Sequence, residues 1–117
     1  MALSVLIVDD HPTFRASARR LLEAEGYVVV GEAGDGVGGL AAAGVLAPDL
    51  VLLDVALPDL DGFEVARRLT AAPGAPAVVL TSSRDWSEIG DLVARSGARG
   101  FVSKDDLSGA VLAALEP

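Results

Sequence analysis

The chain has no cysteine, which excludes disulfides, thiolate metal sites and cysteine nucleophiles together. Its only histidine is His11, so there is no second imidazole to share a metal, and that side chain reads as a structural or rim residue. Basic residues are scarce: nine against 17 acidic ones, for a net charge of −8. A segment so acidic is not expected to grip nucleic acid, because phosphate-backbone binding needs clustered Lys and Arg, so any DNA contact must come from elsewhere. Of the nine basic residues only one, Lys104, is a lysine, which leaves a single candidate for any role that needs an ammonium group. Long apolar runs are also missing. The longest, such as Val51 to Leu53 and Ala77 to Leu80, fall far short of the roughly 20 residues of a membrane-spanning helix. A strand-like segment at Leu3 to Val8 begins too close to Met1 for a cleavable leader. The expectation is a cytoplasmic protein with no membrane association.

What the chain does have is the composition of one globular unit: 51% apolar and 22% charged residues over 117 positions, enough for a single core spanning 1–117. Short β-branched runs recur at Ser4 to Val8, Tyr27 to Gly31, Leu50 to Leu53, Ala77 to Leu80 and Gly100 to Ser103, and read as five buried strands. Between them the apolar residues take helical spacing: Phe14, Ala18, Leu21 and Leu22; Leu40 with an Ala-rich tail; Phe63, Ala66 and Leu69; Ile89, Leu92 and Val93; Leu107, Val111, Leu112 and Leu115. Gly26, Pro48, Pro73-Gly74 and Gly97 suit helix ends, and Pro12, Ser87 and Asp106 suit helix starts. Strict alternation of this kind gives an α/β fold, a doubly wound five-stranded parallel sheet with right-handed crossovers. The second helix is expected to be short, frayed or shifted, because Gly34, Gly36, Gly38, Gly39 and Gly44 each cost about 1 kcal/mol relative to Ala in a helix interior.

In such a sheet the ligand site lies beyond the carboxyl ends of the strands, at the switch point of strand order. Strand 1 ends in Asp9-Asp10, strand 3 in Asp54, strand 4 in Thr81-Ser82-Ser83 and strand 5 in Lys104. Three converging carboxylates repel unless a cation neutralises them, and an all-oxygen acidic cluster suits a hard ion such as Mg²⁺. An ammonium and a hydroxyl opposite them can hold phosphoryl oxygens. Asp54 is then the candidate nucleophile, since a carboxylate can form an aspartyl-phosphate.

The segments VLIVDDHPTFR, PDLVLLDVALPDLDG, VVLTSS and GARGFVSKDDL carry a resemblance that runs over essentially the whole chain. Through them it resembles the receiver domains of bacterial two-component systems, a flavodoxin-like family whose chemotaxis member serves as a standard example of strand order 2-1-3-4-5. The resemblance implies that Asp9 and Asp10 bind Mg²⁺ together with Asp54 and the backbone carbonyl of Ala56. It further implies that Asp54 takes phosphate from a sensor histidine kinase, that Ser82 and Lys104 contact the phosphoryl group, and that Phe101 is an aromatic switch. Ungapped spacing back from Lys104 favours Ser82 as the hydroxyl, with Thr81 and Ser83 as the alternatives. DDHPTFR and the Lys-Asp pair after strand 5 are most similar to NarL/LuxR-type receivers, which usually precede a DNA-binding domain. Output, or a homodimer, is expected through helix 4, strand 5 and helix 5, or through helices 1 and 5. Ala56 departs from the polar or larger residue that the family often carries there.

Two enzyme readings compete with this one. Gly34-Asp35-Gly36-Val37-Gly38-Gly39 satisfies the dinucleotide motif G-x-G-x-x-G, but it follows the second strand, at the sheet edge away from the switch point. A haloacid-dehalogenase-like phosphatase also uses an aspartate nucleophile, but it wants a second acid where Ala56 stands. A third reading, a receiver-like interaction domain without phosphorylation, is disfavoured by the retention of the acid pair, the acceptor, the hydroxyl and the lysine. Asp59, in the loop after Pro58, reads as a turn former. Trp86, the only tryptophan, offers a fluorescence probe near strand 4.

Overall fold

The computed structural model describes residues 2–83 and 89–117. Ser87 and Trp86, singled out above, lie outside the described residues. The strands are β1 (Ser4–Val8), β2 (Val28–Ala33), β3 (Leu50–Asp54), β4 (Ala77–Ser82) and β5 (Gly100–Ser103). The helices are α1 (Pro12–Ala24), α2 (Gly36–Leu46), α3 (Gly62–Ala71), α4 (Gly90–Ser96) and α5 (Gly109–Ala114). The strands form one parallel sheet in the order β2-β1-β3-β4-β5. The doubly wound architecture expected from strict βα alternation is therefore present. No helix among the described residues is long and apolar enough to cross a membrane.

Alternation along the strands sorts the core into two layers. Val5 and Ile7 of β1, Leu50 and Leu52 of β3, Val79 of β4 and Val102 of β5 pack with Ala18 and Leu22 of α1 and Leu112 of α5. Leu6, Val8, Val51, Leu53, Val78 and Leu80 face the other way, against Val65, Ala66 and Leu69 of α3 and Val93 of α4. Most of these side chains are fully buried, each contributing about 1.5–3 kcal/mol. Helix ends follow local chemistry. Pro12 begins α1, where its missing N–H costs nothing, and Gly26 and Gly97 take the positive φ angles (92° and 83°) that turn the chain after α1 and α4.

Two expectations need correction. Asp106 does not start α5: Lys104–Asp106 form a 3-10 turn, and Ser108 caps α5 by accepting from the Val111 N–H at 3.2 Å. Nor is α2 short, for it runs 11 residues with satisfied ends. Its glycines allow close packing. A Cβ on Gly39 would stand 2.8 Å from the Val8 side chain, and one on Gly36 would stand 2.8 Å from Leu60 Cβ. The first turn is capped twice, by Asp35 accepting from Gly38 N–H at 2.6 Å and by Asp59 accepting from Gly36 and Val37 N–H at 2.7 and 2.9 Å. Two carboxylates thus fill the N-terminus that the G-x-G-x-x-G pattern would have offered to a pyrophosphate.

Asp59 is therefore a cap between two elements rather than a simple turn former. Hydrogen bonds from Val37 and Gly36 hold its carboxyl below the usual range. A lowered folded value means that the stabilisation is complete above the unfolded value, about 3.9, and is lost as pH falls through the folded one. Asp59→Ala is expected to lower the melting temperature by a few degrees at neutral pH, with the gap to wild type closing below about pH 4. Thermal melts across that range check it, and a gap independent of pH would contradict the capping role.

Candidate functional site

Asp9, Asp54 and Thr81 continue the face of Ile7, Leu52 and Val79 at the carboxyl ends of three adjacent strands. Asp9 and Asp54 are buried, at 1% and 3% exposure. The chain turns so that the His11 N–H donates to Asp9 Oδ1 at 2.8 Å, and Arg15 reaches back to the Asp9 carbonyl. The Ala56 N–H donates to Asp54 Oδ1 at 3.1 Å, fixing that carboxylate by its own loop. Lys104 arrives from beyond β5. Its Nζ lies 2.7 Å from Asp9 Oδ2, 3.4 Å from Asp54 Oδ2 and 4.5 Å from the centre of the Phe14 ring.

The electrostatics follow from this crowding. Burial pushes the Asp54 carboxyl up and the charge of Asp9 adds to that, while the Ala56 N–H and Lys104 pull it down; the net direction is upward. Burial would lower the Lys104 ammonium, but contact with Asp9 and the charges of Asp54 and Asp9 outweigh it, so its net shift is also upward.

The donors suit a hard cation. Asp9 Oδ2 and Asp10 Oδ1 are buried without an aligned hydrogen bond among the described residues. The first has only the charge contact to Lys104, and the second only His11 Nδ1 at 3.1 Å. Asp9, Asp10, His11 and Asp54 each offer one ligand atom, all within 4.8 Å of one another. The acidic cluster anticipated from strand ends is thus assembled, with Lys104 beside it.

The hydroxyl is where strand register and spacing part company. Asp54 pairs with Thr81 across β3 and β4, so these two side chains share a face. Ser82 is in register with Ser103 and follows Leu80 onto the opposite face. Thr81 is fully buried, and its Oγ1 has no hydrogen-bond partner among the described residues. Counting forward from the paired starts Leu50 and Ala77 puts Thr81 opposite Asp54. Counting back from Lys104 crosses a loop whose length strand geometry does not constrain. Phe101 is half-buried against the α3 and α4 layer, on the face opposite Asp54. Sequence reasoning also missed Phe14 and Arg15, which support Lys104 and Asp9 from the first turn of α1.

The five-stranded parallel sheet, with acids gathered at its carboxyl edge, has the architecture of a receiver domain, and comparison with known proteins agrees. The model of the response regulator receiver domain matches residues 5–116, and the chain belongs to that family. BvgA of Bordetella pertussis, named for transcription regulation of virulence factors, is 41% identical over 102 residues, covering 87% of this chain and 49% of that protein. Protein-glutamate methylesterase/protein-glutamine glutaminase 6 of Anaeromyxobacter dehalogenans is 41% identical over 108 residues, 92% of this chain and 31% of the relative. The crystal structure of a LuxR-family two-component response regulator from Aurantimonas sp. SI85-9A1 superposes with TM-score 0.87 at 31% identity, covering 98% of this chain and 86% of that one. The chain spans about half, or less, of the length of these curated relatives.

Proposed function

We propose that this receiver domain accepts a phosphoryl group on Asp54 from a sensor histidine kinase, with Mg²⁺ held by Asp9, Asp10, Asp54 and the Ala56 carbonyl. The observation that carries the reading is the buried Asp54 carboxylate, 3.4 Å from the only lysine and beside Asp9 and Asp10, whose buried oxygens have charge contacts but no aligned hydrogen bond among the described residues. When bound, the divalent cation offsets the charge of the acids and of the incoming phosphoryl oxygens. Asp54 Oδ supplies the electron pair that forms the new O–P bond, and the P–N bond to the donor imidazole breaks with its electron pair leaving on nitrogen. Lys104 releases Asp9 and pairs with a phosphoryl oxygen. No second acid stands at Ala56 to drive turnover, so the domain is a signalling acceptor rather than an enzyme in its own right. Incubation with acetyl phosphate and Mg²⁺, followed by intact mass, tests the reading. One added phosphoryl group that requires the metal is expected, and an unmodified chain would overturn it. Asp10→Ala should weaken Mg²⁺ binding at least tenfold and Asp59→Ala hardly at all, as measured by calorimetry.

The domain's output, in this reading, passes through the surface of α4, β5 and α5, or of α1 and α5, to a second copy or an appended regulatory domain, which for a NarL/LuxR-type chain binds DNA in the cytoplasm. The hydroxyl that responds to phosphorylation is Thr81, on the face of Asp54, in place of the Ser82 that spacing favours. A charge-assisted hydrogen bond from Thr81 Oγ1 to a phosphoryl oxygen, about 1.5–3 kcal/mol, shifts a two-state equilibrium by about ten- to a hundredfold. Its movement draws the end of β4 toward the phosphoryl group, and Phe101, on the other face of neighbouring β5, responds to the shift of the strand backbone. Thr81→Ala is therefore expected to accept phosphate yet lose the change in Phe101 environment on adding beryllofluoride, as read by NMR of the aromatic rings. Ser82→Ala should keep that change, and the reverse pattern would return the role to Ser82.

A further inference from the structure

We infer that His11 is a fourth side-chain ligand of the cation site, through Nδ1, and that it gives this receiver a preference for nitrogen-seeking divalent ions over Mg²⁺. The inference rests on the reading of Asp9, Asp10 and Asp54 as the cation site. His11 Nδ1 lies 3.1 Å from Asp9 Oδ1 and 3.1 Å from Asp10 Oδ1. In an octahedral shell with metal–ligand bonds of about 2.1 Å, neighbouring donors stand about 3.0 Å apart. The nitrogen and the two carboxylate oxygens therefore already have the spacing of adjacent ligands. Part of the cluster already gathers around one positive charge: Lys104 Nζ is 2.7 Å from Asp9 Oδ2, 3.4 Å from Asp54 Oδ2 and 3.5 Å from His11 Nδ1, and Asp10 Oδ1 joins the cluster through its 3.1 Å contact with His11 Nδ1.

The polar contacts of the imidazole are to the site itself: Nδ1 is hydrogen-bonded to Asp9 Oδ1 at 3.1 Å and meets Asp10 Oδ1 at 3.1 Å, contacts that a bound cation would replace. His11 is the residue before α1, yet its side chain makes no capping hydrogen bond, and it is 64% exposed. Its ring sits at the rim while the acids lie deeper, as expected of a ligand that finishes an open site. The chemistry then follows from donor type. Mg²⁺ prefers oxygen ligands, whereas imidazole favours the later first-row divalent ions in the order Mn²⁺ < Co²⁺ < Ni²⁺. A site of three carboxylates alone would separate these ions less.

The test uses the untagged chain, in which His11 is the sole imidazole. Pulsed EPR of the Mn²⁺-loaded protein should show one nitrogen coupling that changes isotope pattern on ¹⁵N-histidine labelling. In calorimetry His11→Ala should weaken Co²⁺ binding at least tenfold while shifting Mg²⁺ binding less than threefold, with circular dichroism confirming the fold. If the variant does not fold, the labelling result on wild type decides alone. Mn²⁺ bound in an Asp10-dependent way without nitrogen coupling would overturn the role of His11 and leave the acid site standing. Mn²⁺ binding that is absent, or indifferent to Asp10→Ala, would overturn both.

Discussion

Asp54→Asn is expected to take no phosphoryl group from acetyl phosphate and Mg²⁺, and to melt at a higher temperature than wild type without metal. The first effect follows from chemistry, since an amide oxygen of the same shape is not a competent nucleophile. The second follows from burial. The folded environment raises the Asp54 carboxyl above its ordinary value, through desolvation and the nearby charge of Asp9. A raised acid destabilises the fold at pH above its folded value, and that cost fades as pH falls from the folded value toward the unfolded one. The stabilising effect of Asp54→Asn should thus be largest at neutral pH, shrink on acidification and shrink again when Mg²⁺ is added. Melts of both proteins across pH, with and without the metal, measure this. A variant less stable than wild type at neutral pH without metal would mean that the Ala56 N–H and Lys104 contacts outweigh burial.

Gly62→Ala and Gly44→Ala are expected to act with opposite signs, although each adds one methyl group at a helical glycine. A Cβ on Gly62 would run into the Asp54 carbonyl and stand 2.5 Å from the Val55 Cα, both backbone atoms that cannot step aside. The first turn of α3 would have to move off the end of β3, the strand that carries Asp54. A loss of about 3 kcal/mol is expected, together with weakened phosphorylation. Gly44 lies within α2 with nothing within 4 Å of the added atom, so alanine there should stabilise by about 1 kcal/mol through helix propensity and a less flexible unfolded chain. Urea unfolding of the two variants separates the effects, and equal midpoints would contradict the close approach at Gly62.

These two glycines show where sequence reading succeeds and where it stops. Apolar runs such as Leu50 to Leu53 reveal buried strands because a two-sided sheet leaves them no polar face, and the acids at the strand ends reveal the site because βα topology brings those ends together. The glycines of α2 misled because propensity describes an isolated helix. It does not include the Val8 and Leu60 side chains that need the space, or Asp59 reaching across from another loop to cap Gly36 and Val37. The choice among Thr81, Ser82 and Ser83 stays open in the sequence because the spacing to Lys104 runs through loop, whereas the pairing of Leu50 with Ala77 runs through hydrogen-bonded backbone and puts Thr81 on the face of Asp54. Lys104 itself was legible by scarcity, being the only ammonium side chain in an arginine-using protein.

The most direct measurement is to trap and map the modified residue. After incubation with acetyl phosphate and Mg²⁺, borohydride reduction converts an aspartyl-phosphate to homoserine, which peptide mass spectrometry locates. Homoserine at position 54 alone, absent when the metal is chelated, is the predicted result. Reduction product at another aspartate, or none at any, would contradict the assignment of Asp54 as the phosphoacceptor.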